Sequence, residues 1–207
     1  MRPFASLPVT GDDAEMSTNG ESPDPLECRP VDENNAADLA RFSQRHGKFR
    51  YCSCMRWRMT STEYRQATTQ DRSDRLDALA RGPAPAGVLA YLAEEPVGWC
   101  AVAPREHYRA LERSRTLPRI DDQPVWSVVC FFVTSRIRRG GATRTLLDAA
   151  VEYARSRGAA VVEGYPVEPG PRSYTYMGSP QTFRAAGFID VTPAGQSRTV
   201  MRYHMHT

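Results

Sequence analysis

Residues Val125–Gly158 read VWSVVCFFVTSRIRRGGATRTLLDAAVEYARSRG. The run Val125–Val133 is apolar and rich in valine and aromatics, the pattern of a buried strand. It ends in a basic turn containing Gly140 and Gly141. The turn opens directly into a helix predicted from about Gly140 to Arg157. Its residues Leu146, Leu147, Ala150, Val151 and Ala154 share one face, and Gly158 closes it. Such a junction aims backbone N–H groups and the positive end of a helix dipole at one spot. That spot seats an anion, above all a phosphate. A side chain at Gly141 would block the required dihedrals or occupy ligand space. The turn lacks the Gly-Lys-Ser/Thr ending of a P-loop and the G-x-G-x-x-G of a dinucleotide site. Taken alone, it also fits an ordinary helix start with solvated arginines.

The chain has 207 residues, enough for one substantial core. No apolar run approaches the ~20 residues that span a bilayer. The N-terminal segment lacks the basic and apolar blocks of a secretory signal, so a cytoplasmic protein is expected. Five irregularly spaced cysteines suit a reducing compartment. The net charge of +3 is mild and well mixed, which gives no sign of nucleic acid. Lys48 is the only lysine. The local cluster Arg136, Arg138, Arg139 and Arg144 says more than the total, because guanidinium groups clamp phosphates.

Residues 1–26 are rich in Pro, Gly, Ser and acidic groups and predict a disordered tail, leaving 27–207 as one domain. A strand near Cys28–Val31 precedes a helix capped by Asp32 or Asn34, with Ala36, Leu39, Ala40 and Phe42 on one face. The segment Phe49–Trp57 (FRYCSCMRW) is dense in aromatics and thiols. A helix is predicted over Gln70–Arg81, with Leu76 and Leu79 inward and Gly82 as its stop. A hairpin of Gly87–Tyr91 and Val97–Val102 turns at Glu94-Glu95-Pro96. Glu106–Arg115 predicts a short helix, and a strand follows from Ala159 to about Val167. Ser179 reads as an N-cap, Pro180 as the first helical residue and Gly187 as the C′ glycine, with Phe183 and Phe188 placed for the contact of a Schellman stop. Thr199–Met205 alternates as a last strand. Hairpin strands followed by strand–helix units imply an α/β domain, a mixed sheet with helices on both faces.

The order strand, R-x-x-G-x-[AGST] turn, helix with paired leucines, strand, then a short helix ending in A-G-F resembles the GCN5-related N-acetyltransferase (GNAT) superfamily. The residues that carry this are Val133, Arg138, Gly141, Thr143, Leu146 and Leu147, then Phe183, Ala186, Gly187 and Phe188. By element order the resemblance covers about Cys28–Tyr203; it is specific over Val125–Phe188. The YCSCMRW and EGYPVEP segments look like a bacterial subgroup of undefined substrate. The resemblance implies a single domain with a mostly antiparallel central sheet, and acetyl-CoA as co-substrate. Its pyrophosphate would sit on Arg138, Arg139, Gly140, Gly141, Ala142, Thr143 and Arg144. Its pantetheine arm would run along Phe131, Phe132 and Val133, with Ser179 and Phe183 near the thiol end.

Acyl transfer to an amine needs a deprotonated nitrogen, a stabilised oxyanion and a stabilised leaving thiolate. Glu163, on the strand flanking the wedge, is a candidate base; it equally reads as a carboxylate that pairs an arginine. Glu168 is a second candidate. The resemblance places a general-acid tyrosine where this chain has Phe183, so Tyr174 and Tyr176 in the preceding loop are the substitutes, or else plain loop aromatics.

Cys52 and Cys54 offer two metal ligands, but no C-x2-C-type pair completes the set, so no metal is expected. They read as buried thiols beside Met55 and Trp57. Cys130 lies near the expected thioester, in apolar surroundings that blunt a thiol. His107 reads as a wall of the acceptor cleft or a surface residue, and Tyr51, Trp57 and Trp99 as core or cleft wall. The expected activity is acetylation of a primary amine on a small molecule, such as an amino compound or an aminated antibiotic. The acceptor side would be built from the first helices, YCSCMRW and Glu168–Gly178. A protein amine is the alternative acceptor. A CoA-binding regulatory module with little catalysis is the alternative class, and an anion- or RNA-binding domain ranks last. A homodimer through edge strands would suit the fold.

Overall fold

The computed structural model describes residues 26–138, 141–170 and 175–205. The expected tail, apart from Leu26, lies outside the described residues, as do Arg139, Gly140 and Tyr174. Among the described residues seven strands form one sheet: β1 (Glu27–Pro30), β2 (Val88–Leu92), β3 (Glu95–Pro104), β4 (Trp126–Val133), β5 (Val161–Gly164), β6 (Ile189–Asp190) and β7 (Met201–His204). Their order is β1-β2-β3-β4-β5-β7-β6. Every neighbouring pair is antiparallel except β4–β5. This is the mixed, mostly antiparallel sheet expected.

Helices cover both faces. On one lie α1 (Ala36–Arg45), α2 (Gly47–Cys52), α3 (Met55–Arg58), α4 (Ser61–Gln66), α5 (Thr69–Arg81) and α6 (Arg109–Glu112). On the other lie α7 (Ala142–Ser156) and α8 (Pro180–Ala185). The alternation of each strand feeds two separate cores. Leu89, Trp99, Ala101 and Val129 enter the first, with Leu39, Phe42, Phe49 and Leu76. Val88, Cys100, Val102 and Val128 enter the second, with Leu146, Leu147, Ala150 and Phe183.

Several local expectations are corrected. The cap of α1 is Asn35, not Asp32 or Asn34. Asp32 instead accepts from the Asn34 N–H (2.8 Å), and the Asn35 amide oxygen accepts from the Asp32 N–H (2.9 Å). The hairpin turns at Ala93 and Glu94, with φ of 46° and 63°. Two consecutive left-handed residues make the tight turn that matches strand twist, so Glu95 and Pro96 already belong to β3. The register slips there, pairing Tyr91 with Pro96 and Ala90 with Gly98, and the bulge accommodates a residue that has no N–H. Phe49–Trp57, to which the sequence assigned no element, lies in α2 and α3, joined by Ser53 and Cys54 in left-handed conformations (φ 44° and 49°). The helix expected over Glu106–Arg115 is a 3-10 turn, Arg105–His107, followed by the four-residue α6.

Two features open the sheet. Ala101 pairs with Cys130 but Val102 with Val128, so Val129 is an extra residue on β4. This bulge sends Val129 and Cys130 toward the same face, into or against the first core. Beside it, β4 and β5 pair only at Trp126–Val162, Ser127–Glu163 and Val128–Gly164. β5 then ends at Gly164, three residues short of the expected Val167, while β4 continues to Val133 with no strand on that edge among the described residues. The Phe183 ring packs against the last residue of β5. A Cβ on Gly164 would lie 2.1 Å from its Cε1, and one on Gly178 would lie 2.9 Å from its Cε2.

Candidate active site

A cleft of about 880 Å³ occupies the opening. Phe131, Phe132 and Val133 of β4 form its floor; Arg138, Thr143, Ser179 and Thr182 stand at one end. Its other walls include Lys48, Phe49, Cys52, Cys54, Arg56 and Tyr64 from α2–α4, and Val167, Pro169 and Tyr176 from the loop before α8. The YCSCMRW segment and part of Glu168–Gly178 therefore meet the β4 edge across one cavity, as the sequence suggested.

The glycine turn leads into α7 at one end of the cleft. Gly141 caps α7 with φ +77°, a conformation that L side chains rarely adopt. The first helical N–H groups of α7 have no partner inside the helix, and positive dipole charge collects beside Arg138 and Thr143. Arg138 touches the protein through the Val133 carbonyl (3.4 Å). Arg144 departs from expectation. Its guanidinium bonds Asp148 one turn along α7 (2.7 Å) and the Ala185 carbonyl of α8, so it ties two helices together and does not line the cleft. Ala142 is buried and its side chain does not line the cleft. Ser179 caps α8, accepting from the Thr182 N–H (3.2 Å), while its hydroxyl still faces the cavity.

Phe183 does not cover the thiol end. It is fully buried, 6.1 Å from Phe131 and 4.9 Å from Phe188 between ring centroids. The Schellman stop is as expected: Phe188 N–H donates to the Phe183 carbonyl (3.1 Å), Gly187 N–H to that of Arg184 (2.9 Å), and Gly187 has φ +85°.

Glu163 takes its alternative role. It is 2 % exposed, lies below the opening and does not line the cleft. Oε1 accepts from Arg105 (3.0 Å) and Tyr165 (2.6 Å), and Oε2 from Arg202 (2.8 Å). Arg105 also holds Glu112 (2.8 Å) and the Leu117 carbonyl (2.7 Å), while Arg202 holds Asp121 (2.6 Å). A carboxylate committed at both oxygens inside the core has no route to a substrate proton. Burial, with the Glu163 charge beside it, pushes the Tyr165 phenol well above its ordinary range. Glu168 is exposed and outside the cavity lining. Of the catalytic candidates, Tyr176 alone lines the cleft among the described residues.

The thiols gather without a metal cage. Cys54 is buried, with Trp99 Nε1–H donating to its sulfur (3.1 Å) and Cys130 adjoining it. Burial pushes the Cys54 thiol far up and raises that of Cys52, so both stay protonated near neutrality. Among the described residues no three His, Cys, Asp or Glu side chains gather to hold a metal ion. Trp99 is core as expected. Tyr51 is not: it is 62 % exposed, with Arg72 stacked 4.9 Å above its ring. His107 is half-buried and outside the cleft lining.

A family model for the acetyltransferase (GNAT) family matches residues 52–169, more than half the chain, from the thiol-rich wall through the glycine turn to the loop after β5. The chain belongs to the acetyltransferase (GNAT) family. It is accordingly an N-acetyltransferase. Solved GNAT-fold structures superpose across most of it. They include a ribosomal-protein-alanine N-acetyltransferase from Brucella melitensis (21% identity, TM-score 0.51, covering 87% of this chain and 100% of that one). Aminoglycoside acetyltransferase AAC(6')-Ib in complex with coenzyme A is another (15% identity, TM-score 0.53, 87% and 95%). A third is the PaiA N-acetyltransferase from Thermoplasma acidophilum, in complex with coenzyme A (10% identity, TM-score 0.50, 87% and 99%). At these identities they establish the GNAT fold. A search of curated proteins returned no match. No helix among the described residues is long and apolar enough to cross a membrane.

Proposed function

We propose that the chain transfers an acetyl group from acetyl-CoA to a primary amine of a small molecule, by direct attack while both substrates are bound. The observation that carries this is the free β4 edge running from the bulge at Val129 to the glycine turn at Gly141. A peptide-like pantetheine arm pairs with such an edge as an added strand does. Its pyrophosphate then meets Arg138, Thr143 and the α7 N-terminus. The cleft has the volume for both substrates, and the CoA-bound structures of the same fold support the donor.

Each step has a group in reach of the cleft. Backbone N–H groups of the β4 edge, with Val133 the candidate, stabilise the developing oxyanion. The nitrogen attacks the thioester carbon, and the C–S bond breaks as the tetrahedral species collapses. Tyr176 donates a proton to the leaving sulfur; a thiol of pKa about 8.5 needs little help. No carboxylate lines the cleft among the described residues to act as base. The cations there lower the affinity of the bound amine for its proton, so the neutral, nucleophilic form is favoured and water removes the proton.

The test is calorimetric titration of acetyl-CoA into the folded protein, with ATP as control. Micromolar acetyl-CoA affinity with little for ATP is expected, and absence of acetyl-CoA binding overturns the reading.

A further inference from the structure

We infer that the acceptor is an amine whose own molecule carries an anionic group, a carboxylate or a phosphate, recognised by Lys48 and Arg56. This rests on the function proposed above and names its substrate class.

The argument starts from charge placement. The chain holds 27 basic and 24 acidic side chains, so its arginines have carboxylates within the chain to pair with. Many do: Arg29 with Glu27 and Glu94, Arg109 with Glu63, Arg119 with Glu112, Arg144 with Asp148. Among the described residues others do not, Arg50, Arg65, Arg75 and Arg113 among them; what sets the cleft apart is that no acidic side chain lines it. Its charged lining among the described residues is Lys48, Arg56 and Arg138, with no Asp or Glu. None of the three forms a salt bridge within the described part of the chain.

Arg138 belongs to the donor end, by the glycine turn. Lys48 and Arg56 come from α2 and α3, on the acceptor wall. Arg56 is held in place by aromatic faces, 5.7 Å from the Tyr64 ring and 5.9 Å from that of Trp57. Glu63, the acidic residue of α4, is committed elsewhere: it accepts from Thr60 (2.8 Å) and from Arg109 (2.8 Å). A guanidinium fixed by stacking, with its N–H groups left for a ligand, suits forked recognition of carboxylate or phosphate. Two cations and no carboxylate repel a polycationic amine. The wall therefore favours an anion-bearing amine over aminoglycoside-like acceptors.

Matched amines test this: phosphoethanolamine against ethanolamine, β-alanine against β-alaninamide, and kanamycin as the polycation. Each is titrated into the protein saturated with CoA, and separately assayed with acetyl-CoA for CoA release. At least tenfold tighter binding of the anionic member of one pair is expected, with the phosphate and carboxylate pairs separating the two sources. The preference should shrink in 0.5 M salt. Arg56→Gln and Lys48→Gln should each reduce it about fivefold and leave CoA affinity unchanged. Equal binding within both pairs, or preference for kanamycin, overturns the inference. So do substitutions that weaken CoA instead, for then the two cations serve the donor. Failure of acetyl-CoA to bind the unsubstituted protein overturns the donor assignment, while acetyl-CoA binding without anion preference overturns only the acceptor class.

Discussion

The Phe183 ring stands 2.1 Å from the point where a Cβ on Gly164 would be. A side chain on the last residue of β5 would therefore collide with the Phe183 ring as α8 docks. Gly164→Ala should destabilise the fold by about 1–3 kcal/mol through overpacking. Shrinking the partner as well, in Gly164→Ala/Phe183→Leu, should recover part of that loss. Urea melts of the four proteins of the cycle give the coupling; additive effects would mean the two residues do not meet in solution.

Glu163 is a structural anchor. Glu163→Gln leaves Arg105 and Arg202 each one buried charge short, although Glu112 and Asp121 still hold them. A loss of about 3 kcal/mol is expected. Turnover per folded molecule should change less than twofold. A 100-fold fall in kcat at unchanged melting temperature would restore the base role to Glu163.

Arg138 is exposed, lines the cleft at the end proposed for the pyrophosphate and, among the described residues, bonds only a carbonyl at 3.4 Å. Arg138→Ala should raise the Kd for acetyl-CoA about tenfold, the size of one charge-assisted hydrogen bond, with the melting temperature unmoved. Arg144→Ala should do the reverse, because its partners are Asp148 and Ala185. Calorimetry and thermal melts on the two variants separate the roles.

Tyr176→Phe removes the proposed proton donor and keeps the ring. kcat should fall about 100-fold, the lower end for general acid catalysis, because a thiolate leaves readily. Acetyl-CoA affinity should stay within twofold. An unchanged kcat would leave the thiolate to depart without an acid.

Acid sensitivity follows from His46. Its ring sits 4.7 Å from Phe42 and 5.2 Å from Phe132, and burial, with Arg45 nearby, holds its pKa below the ordinary 6.5. The unfolded chain therefore binds this proton first as pH falls. The histidine's contribution is complete above pH 6.5 and declines as pH drops from there toward its folded value. His46→Phe should flatten stability between pH ~7 and ~5, read by chemical melts at stepped pH. His107, whose pKa burial also lowers, should keep a residual slope in that variant.

What could be read in advance followed local rules. Val125–Val133 declared a strand by its apolar run, and Ser179, Pro180 and Gly187 declared both ends of α8. Gly141 declared its positive φ by its place before a helix. Thr60 and Thr68 carried an unread signal, since each begins a capping box, with Glu63 and Asp71 three residues on. The misread residues depend on distant partners. Whether Arg144 faces a phosphate or Asp148 is settled by how α8 packs, and whether Glu163 is base or anchor depends on Arg105 and Arg202, 58 and 39 residues away. Lys48 and Arg56 carried no motif at all; they matter because the fold brings α2 and α3 to the edge of β4.

The two faces of the sheet carry separate cores, and the cleft is walled by one helix group from each. The donor wall hangs on β4, α7 and α8. The acceptor wall hangs on α2–α4, which reach the interior mainly through Phe49, Cys54, Met55 and Met59. Such a division makes residues 47–66 a cassette. On the proposed assignment of the two walls, transplanted segments that preserve those few anchors would re-aim the enzyme at a new amine, while the machinery proposed to grip and activate the thioester is inherited intact.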